Sequence, residues 1–424
     1  MTQHKVSLPY GKQTVEVLIP EGNLIGAYSP KDIAPVADIK AEVRRALAKP
    51  IGSASLQDLV RGKQKVVFVA DDNTRLTPTD QLIPILLDEC NQAGVSDSQI
   101  TIVIALGTHR FMTQGEILAK FGAETVRRVQ IKNHPYKDDS AMVDLGVTDT
   151  GGRILINKDV YDADFKIGIG SIVPHHIPGY AGGSKIVQPG VSGEQTTAYT
   201  HLLSVRAPRS YLGVLENPVR TELDLMARKV GLNTILNTVL NRHGQVVEVF
   251  FGDVEAAFRE GVKRASQVYE VAIPEEADIV LSSSHPCDLE FWQAHKTLYP
   301  SDLAVKAGGI IIVVTPCYEG VAKTHCDILE VTPRSSSEIR NMVSAGQLHD
   351  EVAAALAIAW AQVKERETVY IVSDGICAEE AARLGFKHFA TAQAALDAAL
   401  AEKGGGARVT VLTHAPDMLP VIRK

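Results

Sequence analysis

The chain has 424 residues, of which 45% are hydrophobic and 22% charged, and a formal net charge of −7. Such a composition excludes disorder and collagen-like repeats, and the negative balance offers no general attraction to nucleic acid or anionic membranes. The length is too great for one ordinary core, so two domains are expected.

The opening alternates as strands do, in Val6–Tyr10 and Thr14–Pro20, with Gly11 at the turn, which reads as a β-hairpin. A helical pattern follows over Ile39–Ala48. Short apolar strands then alternate with amphipathic helices: strand Val66–Ala70, helix Leu82–Ala93, strand Ile100–Leu106, helix Gly115–Phe121. Thr113 and Glu116 have capping-box spacing at the start of the last of these. Strand Phe165–Gly170 leads into a glycine-rich segment, and Ser192-Gly-Glu-Gln195 reads as a second capping box opening a helix that carries His201. Helix Arg220–Val230, a hairpin around Asn241-Arg-His-Gly244 and helix Val254–Tyr269 complete this part. Pro274–Asp278 has linker character and is the expected hinge. Beyond it a second series begins, with strands at Ile279–Ser282, Gly309–Thr315, Thr368–Val372 and Val409–Thr413. The pattern predicts two α/β domains, 1–272 and 273–424, each with a mainly parallel sheet flanked by helices and with the active site in the cleft between them.

The five cysteines (Cys90, Cys287, Cys317, Cys326 and Cys377) are scattered and lack C-x-x-C spacing, which argues against a disulfide framework or structural zinc. The first residues, Met1-Thr-Gln-His-Lys-Val-Ser7, hold no apolar signal core, and the apolar run Gly309–Val314 has the length of a buried strand. A reduced, cytoplasmic protein is therefore expected.

In open α/β sheets ligands sit beyond the carboxyl ends of the strands. Four strands here run into polar text at that end: Asp71-Asp72-Asn73-Thr74-Arg75, Gly107-Thr108-His109-Arg110, the loop from Ser171 to His201, and Ser284-His285-Pro-Cys-Asp288. Any one loop histidine or Arg–Asp pair is ordinarily a solvated surface feature; the repetition is what points to a site. Arg75 offers a planar fork for a carboxylate or phosphate, and Asp72 is placed to orient it. His109 and His175 are the candidate pair for proton transfer, because imidazole both takes and returns a proton near neutral pH. Gly182 and Gly183 free the backbone around Lys185, which lacks the Walker pattern and is left as an amine nucleophile. His201 has no cysteine or carboxylate at ligand spacing, so a metal on it takes most of its donors from elsewhere.

On these residues the chain resembles the lactate racemase family, whose members use a nickel-pincer nucleotide. The stretches that carry the resemblance are Asp72-Asn-Thr-Arg75, Gly107-Thr-His-Arg110, Pro174 to His201, and Phe291-Trp-Gln-Ala-His-Lys296. The resemblance implies that Lys185 is joined covalently to pyridinium-3-thioamide-5-thiocarboxylic acid mononucleotide carrying Ni(II). By the same resemblance His201 is the protein ligand to nickel, the organic ligand adding two sulfurs and a carbon. It makes His109 and His175 the acid/base pair, assigns Arg75, Gln293 and Lys296 to the substrate carboxylate, and sets Asp72, Arg75, Gly182 and Gly183 near the cofactor. Proteins that build the cofactor are implied partners.

The chemistry is coherent without the family. Removing the Cα proton of a 2-hydroxy acid builds a dianion that needs a divalent-metal cage, and no carboxylate cluster for one is legible. Removing hydride leaves a neutral ketone carbon, which is re-reduced on either face. The expected activity is thus racemisation or epimerisation of a 2-hydroxy acid through a 2-oxo acid, with lactate as prototype. Malate, another longer 2-hydroxy acid or a sugar acid are alternative substrates. A non-enzymatic nucleotide or anion sensor, or a sugar-acid lyase using magnesium or manganese, are the competing classes. Trp292, Leu298, His176 and Trp360 are the residues that would shape the substrate pocket, with Trp360 reading as core.

Overall fold

The computed structural model describes residues 2–423, and two six-stranded sheets organise them. In the first sheet the strands lie in the order Val246–Gly252, Thr234–Leu240, Phe165–Ser171, Val66–Asp71, Ile100–Ala105 and Gln130–Asn133. All pair in parallel except Val246–Gly252, which forms the predicted hairpin with its neighbour. Val66–Asp71 is buried at every position; Val66, Phe68 and Ala70 enter one core and Val67 and Val69 the other, as a strand covered on both faces requires. From this strand the chain first adds Ile100–Ala105 on one side and later Phe165–Ser171 on the other. The resulting switch point opens a crevice at the carboxyl ends of Val66–Asp71 and Phe165–Ser171.

The second sheet runs Lys387–Phe389, Thr368–Val372, Val305–Val314, Ala277–Ser283, Val409–Leu412 and Leu24–Tyr28, parallel throughout. Its last member departs from a division of the chain at residue 272. Leu24–Tyr28 pairs with Val409–Leu412, and the hairpin of Gln3–Tyr10 and Gln13–Pro20 packs Val6, Leu8, Val17 and Ile19 against Ile279, Ile310 and Ile312. Residues up to Tyr28 therefore build onto the second unit. The strand Leu24–Tyr28 is short and carries no alternation, so only its tertiary pairing defines it. Another strand pair, Glu270–Ile273 with Leu419–Ile422, leaves Pro274, Glu275 and Glu276 between strands where the longer linker was expected.

Helix ends follow their local signals where the cap lies in the adjacent text. Asp253 accepts from Glu255 and Ala256, and Asn217 followed by Pro218 opens a helix that closes on Gly231 in the left-handed conformation. Thr113 and Glu116 form their reciprocal box; at Gly122, whose φ is 76°, the helix kinks, and a second helical stretch runs on to Arg128. The box expected at Ser192 is not made: the helix Glu194–Ser204 starts from Gly193, and Ser192 donates its hydroxyl to the Val187 carbonyl instead. Helix Glu351–Lys364 of the second unit packs along Glu194–Ser204, where Gln362 donates to the carbonyls of Val205 and Ala207. Among the described residues, no helix is long and apolar enough to cross a membrane.

Candidate active site

The switch-point crevice of the first sheet is roofed by the second unit, giving a cleft of about 1020 Å³ with the solvent at its mouth included. Asp72, Arg75, His109, His175, Gly182, Lys185, His201, Gln293 and Lys296 all line it. Gly183 does not. Its N–H is bound to Asn237 Oδ1 at 2.8 Å, and a Cβ there would meet the Phe258 ring at 2.9 Å, so it serves the tight turn instead.

His109 stands between two fixed groups. Its Nδ1–H donates to Asp72 Oδ2 at 2.6 Å, and its Nε2 accepts from the Gln293 amide at 2.9 Å. The amide is oriented by donor-only neighbours, since Lys296 and Arg75 both donate to Gln293 Oε1. Burial opposes the charge on Asp72, but His109, then Arg75 and Thr74, outweigh it and hold the carboxyl well below the usual range. Asp72 is thus an anion that fixes the His109 tautomer and leaves Nε2 as an acceptor, engaged here by the Gln293 amide that also lines the cleft.

The glycine segment is shaped from behind by Arg220, an unforeseen contributor. Its buried guanidinium donates to the carbonyls of Tyr180 and Gly182 and to Ser184 Oγ, and lies 4.2 Å from the Phe258 ring centre. Gly182 has φ 87°, and a Cβ there would approach Ile172 to 2.7 Å. The turn so formed presents Lys185, whose amine makes no hydrogen bond among the described residues. Burial first, then Arg75, Lys296 and Arg220, draw its pKa well below that of an ordinary lysine. An unpaired amine in a cleft with a lowered pKa is more readily available as a nucleophile.

His201 donates Nδ1–H to the Thr197 carbonyl one turn earlier, at 2.8 Å, which leaves Nε2 free as a ligand. Burial, then Lys185, lowers its pKa to about 3, so the imidazole is neutral at any working pH. Among the described residues no three His, Cys, Asp or Glu side chains converge on a metal position. His175 is buried, its Nδ1 accepts the Ile177 N–H at 3.2 Å, and burial, Lys185 and His176 in that order lower its pKa strongly.

Of the pocket-shaping residues, His176 and Trp292 line the cleft, whereas Leu298 does not and Trp360 lies in the core against Phe291. His295 and Leu356 also line it. His295 was within reach of the sequence, lying between Gln293 and Lys296; Leu356 sits in the apolar run Val352–Ala361, which gives no sign of which face meets the cleft.

The chain matches the lactate racemase N-terminal domain over residues 10–213 and the lactate racemase C-terminal domain over residues 273–422. A lactate racemase of Lactiplantibacillus plantarum is 30% identical over 99% of both chains. One from Thermoanaerobacterium thermosaccharolyticum is 33% identical over 74% of this chain and 75% of its own. Among solved structures, the lactate racemase apoprotein from Thermoanaerobacterium thermosaccharolyticum superposes with a TM-score of 0.88 at 28% identity, covering 99% of this chain and 100% of that one. A Thermotoga maritima protein at 19% identity and TM-score 0.74, covering 93% of this chain and 100% of its own, shares the fold.

Proposed function

The chain belongs to the lactate racemase family and is an isomerase; from that premise we propose that it inverts the stereocentre of a 2-hydroxy acid, with lactate as prototype, through a 2-oxo acid. The observation that carries this reading is the convergence of two histidines and a carboxylate clamp on one cleft beside Lys185 and His201.

The residues fit a lysine-tethered nickel-pincer nucleotide: an unpaired Lys185 of lowered pKa for covalent attachment, a Gly182 turn too tight for a Cβ, and a His201 Nε2 left free by its Thr197 bond. When bound, the group supplies nickel-assisted hydride acceptance at the alcohol carbon, and it reaches the protein from cofactor-building partners. The chain does the rest. Arg75 and Lys296 neutralise the substrate carboxylate, with Gln293 between them. His109 Nε2, freed of its proton by the Asp72 bond, takes the hydroxyl proton of one enantiomer, and His175 serves the other. Closure by the second unit excludes water, so that the 2-oxo acid is re-reduced rather than lost.

Protein produced together with the cofactor-building proteins is the material for the test. Intact mass should show an adduct on the wild type and none on Lys185→Ala. Chiral chromatography of a D- and L-2-hydroxy-acid panel should show interconversion, with deuterium at the alcohol carbon retained. Loss of that label to solvent, or no interconversion by adduct-bearing protein, overturns the reading.

A further inference from the structure

One side chain within the cleft has the polarity of the substrate itself. The Gln293 amide accepts at Oε1 from Lys296 Nζ and from Arg75 Nη1, the latter at 3.5 Å, and donates from Nε2 to His109 Nε2 at 2.9 Å. The direction of that last bond is fixed from behind: the Asp72 carboxylate only accepts, so His109 carries its proton on Nδ1 and meets the amide with a lone pair. A 2-hydroxy acid offers the same order of groups, a carboxylate oxygen for the two cations and, on the adjacent carbon, a hydroxyl that donates to His109 as proton transfer begins. Amide and substrate therefore compete for the same three partners. The amide is aimed from a fixed backbone, since the short helix Phe291–Ala294 is tied by the N–H groups of Phe291 and Trp292 to the carbonyls of Gly320 and Val321, each at 2.9 Å. Rotation about the side-chain bonds of Gln293 can withdraw the amide while that helix stays in place.

We infer that Gln293 is a specificity-determining residue that acts as an internal counterpart of the substrate: its amide holds Arg75, Lys296 and His109 until a 2-hydroxy acid takes over all three and turns the side chain out. The inference rests on the racemase reading. The resemblance assigns Gln293 to the substrate carboxylate; the hydrogen bonds set it in the carboxylate's place. A simple carboxylate replaces the amide at the cations but leaves His109 without a donor, and a 3-hydroxy acid puts one carbon too many between the two groups. Gln293 and Lys296 belong to the second unit, Arg75 and His109 to the first, so the exchange passes a link between the units from protein to substrate.

Titration of the full-length protein with lactate, followed by NMR, measures this competition without the cofactor. Gln293→Ala and Gln293→Met should bind lactate about tenfold more tightly than the wild type, and Gln293→Glu about tenfold more weakly, because its carboxylate keeps both cations. A residue that only grips the substrate, or only supports the fold, would weaken binding in all three. In Gln293→Met, nitrogen NMR should show His109 Nε2 without a donor, and lactate, but not propanoate, should restore the hydrogen-bonded signal. In the cofactor-loaded enzyme, Gln293→Met should lower the KM for lactate with a smaller change in kcat. Weaker, unchanged or absent lactate binding in the Ala and Met variants, tighter binding in the Glu variant, or propanoate restoring the His109 signal as well as lactate does, overturns the inference. If the wild-type holoenzyme interconverts no 2-hydroxy acid, the racemase reading fails, while the binding series still decides whether Gln293 stands in the ligand's place.

Discussion

Lys296 is drawn down to a pKa of about 8, by burial first and then by Arg75. A lowered lysine pKa means that the free site is fully cationic below that pH and loses its charge above it. Because the substrate is a carboxylate, its KM should rise as pH passes upward through about 8 while kcat changes less, and Lys296→Arg should flatten the rise. Initial-rate kinetics of the loaded enzyme across that range is the check. Arg75, His109, His175 and Lys185 stood out because each belongs to a short polar run at a strand end or on the glycine loop, and His201 because it follows that loop on the next helix, whereas Lys296 and Gln293 were singled out only through the family resemblance. Their titration was not legible, since it depends on desolvation by distant segments: the pKa of Lys185 is lowered by its enclosure and by Arg75, Lys296 and Arg220, which no local spacing records.

Among the elements, the helix Pro218–Val230 carries the largest hidden responsibility, because Arg220 on its first turn holds the carbonyls of Tyr180 and Gly182. Arg220→Met should leave those acceptors unpaired and lower stability by about 3 kcal/mol, read from denaturant unfolding, with reduced adduct formation at Lys185 read by intact mass. The strand and helix succession was readable because periodicities of 2 and 3.6 are local properties, and the cap at Thr113 was readable because its partner Glu116 lies three residues on. The failures are the tertiary ones. Ser192 has the right neighbours for a cap, but its hydroxyl is taken by Val187, and Leu24–Tyr28 is a strand only because Val409–Leu412 lies beside it.

At the scale of the molecule, the two units are clasped over the cleft. His325 accepts or donates at Thr108 Oγ1 at 3.0 Å, is held from behind by Asp350 at 2.6 Å and carries the Trp292 ring stacked at 4.0 Å. Arg110 bridges Glu116 of its own unit and Glu319 of the other. Cutting the first clasp with His325→Ala should free the Gly107–Arg110 loop, raise substrate KM by about tenfold and enlarge the radius of gyration; small-angle scattering and hydrogen exchange over that loop measure both. A protein as compact and as tightly bound as the wild type would refute the clasp.

The pairing of Leu24–Tyr28 with Val409–Leu412 also sets a timetable for synthesis. Leu24–Tyr28 leaves the ribosome long before the strand it pairs with, whereas the first sheet, spanning Val66 to Gly252, can assemble while translation continues. The nascent amino-terminal hairpin must therefore wait without a partner surface, and any chaperone that shields an unfinished chain has its task here. A carboxyl-terminal unit expressed alone would lack its edge strand, and adding residues 1–28 as a separate peptide should restore it.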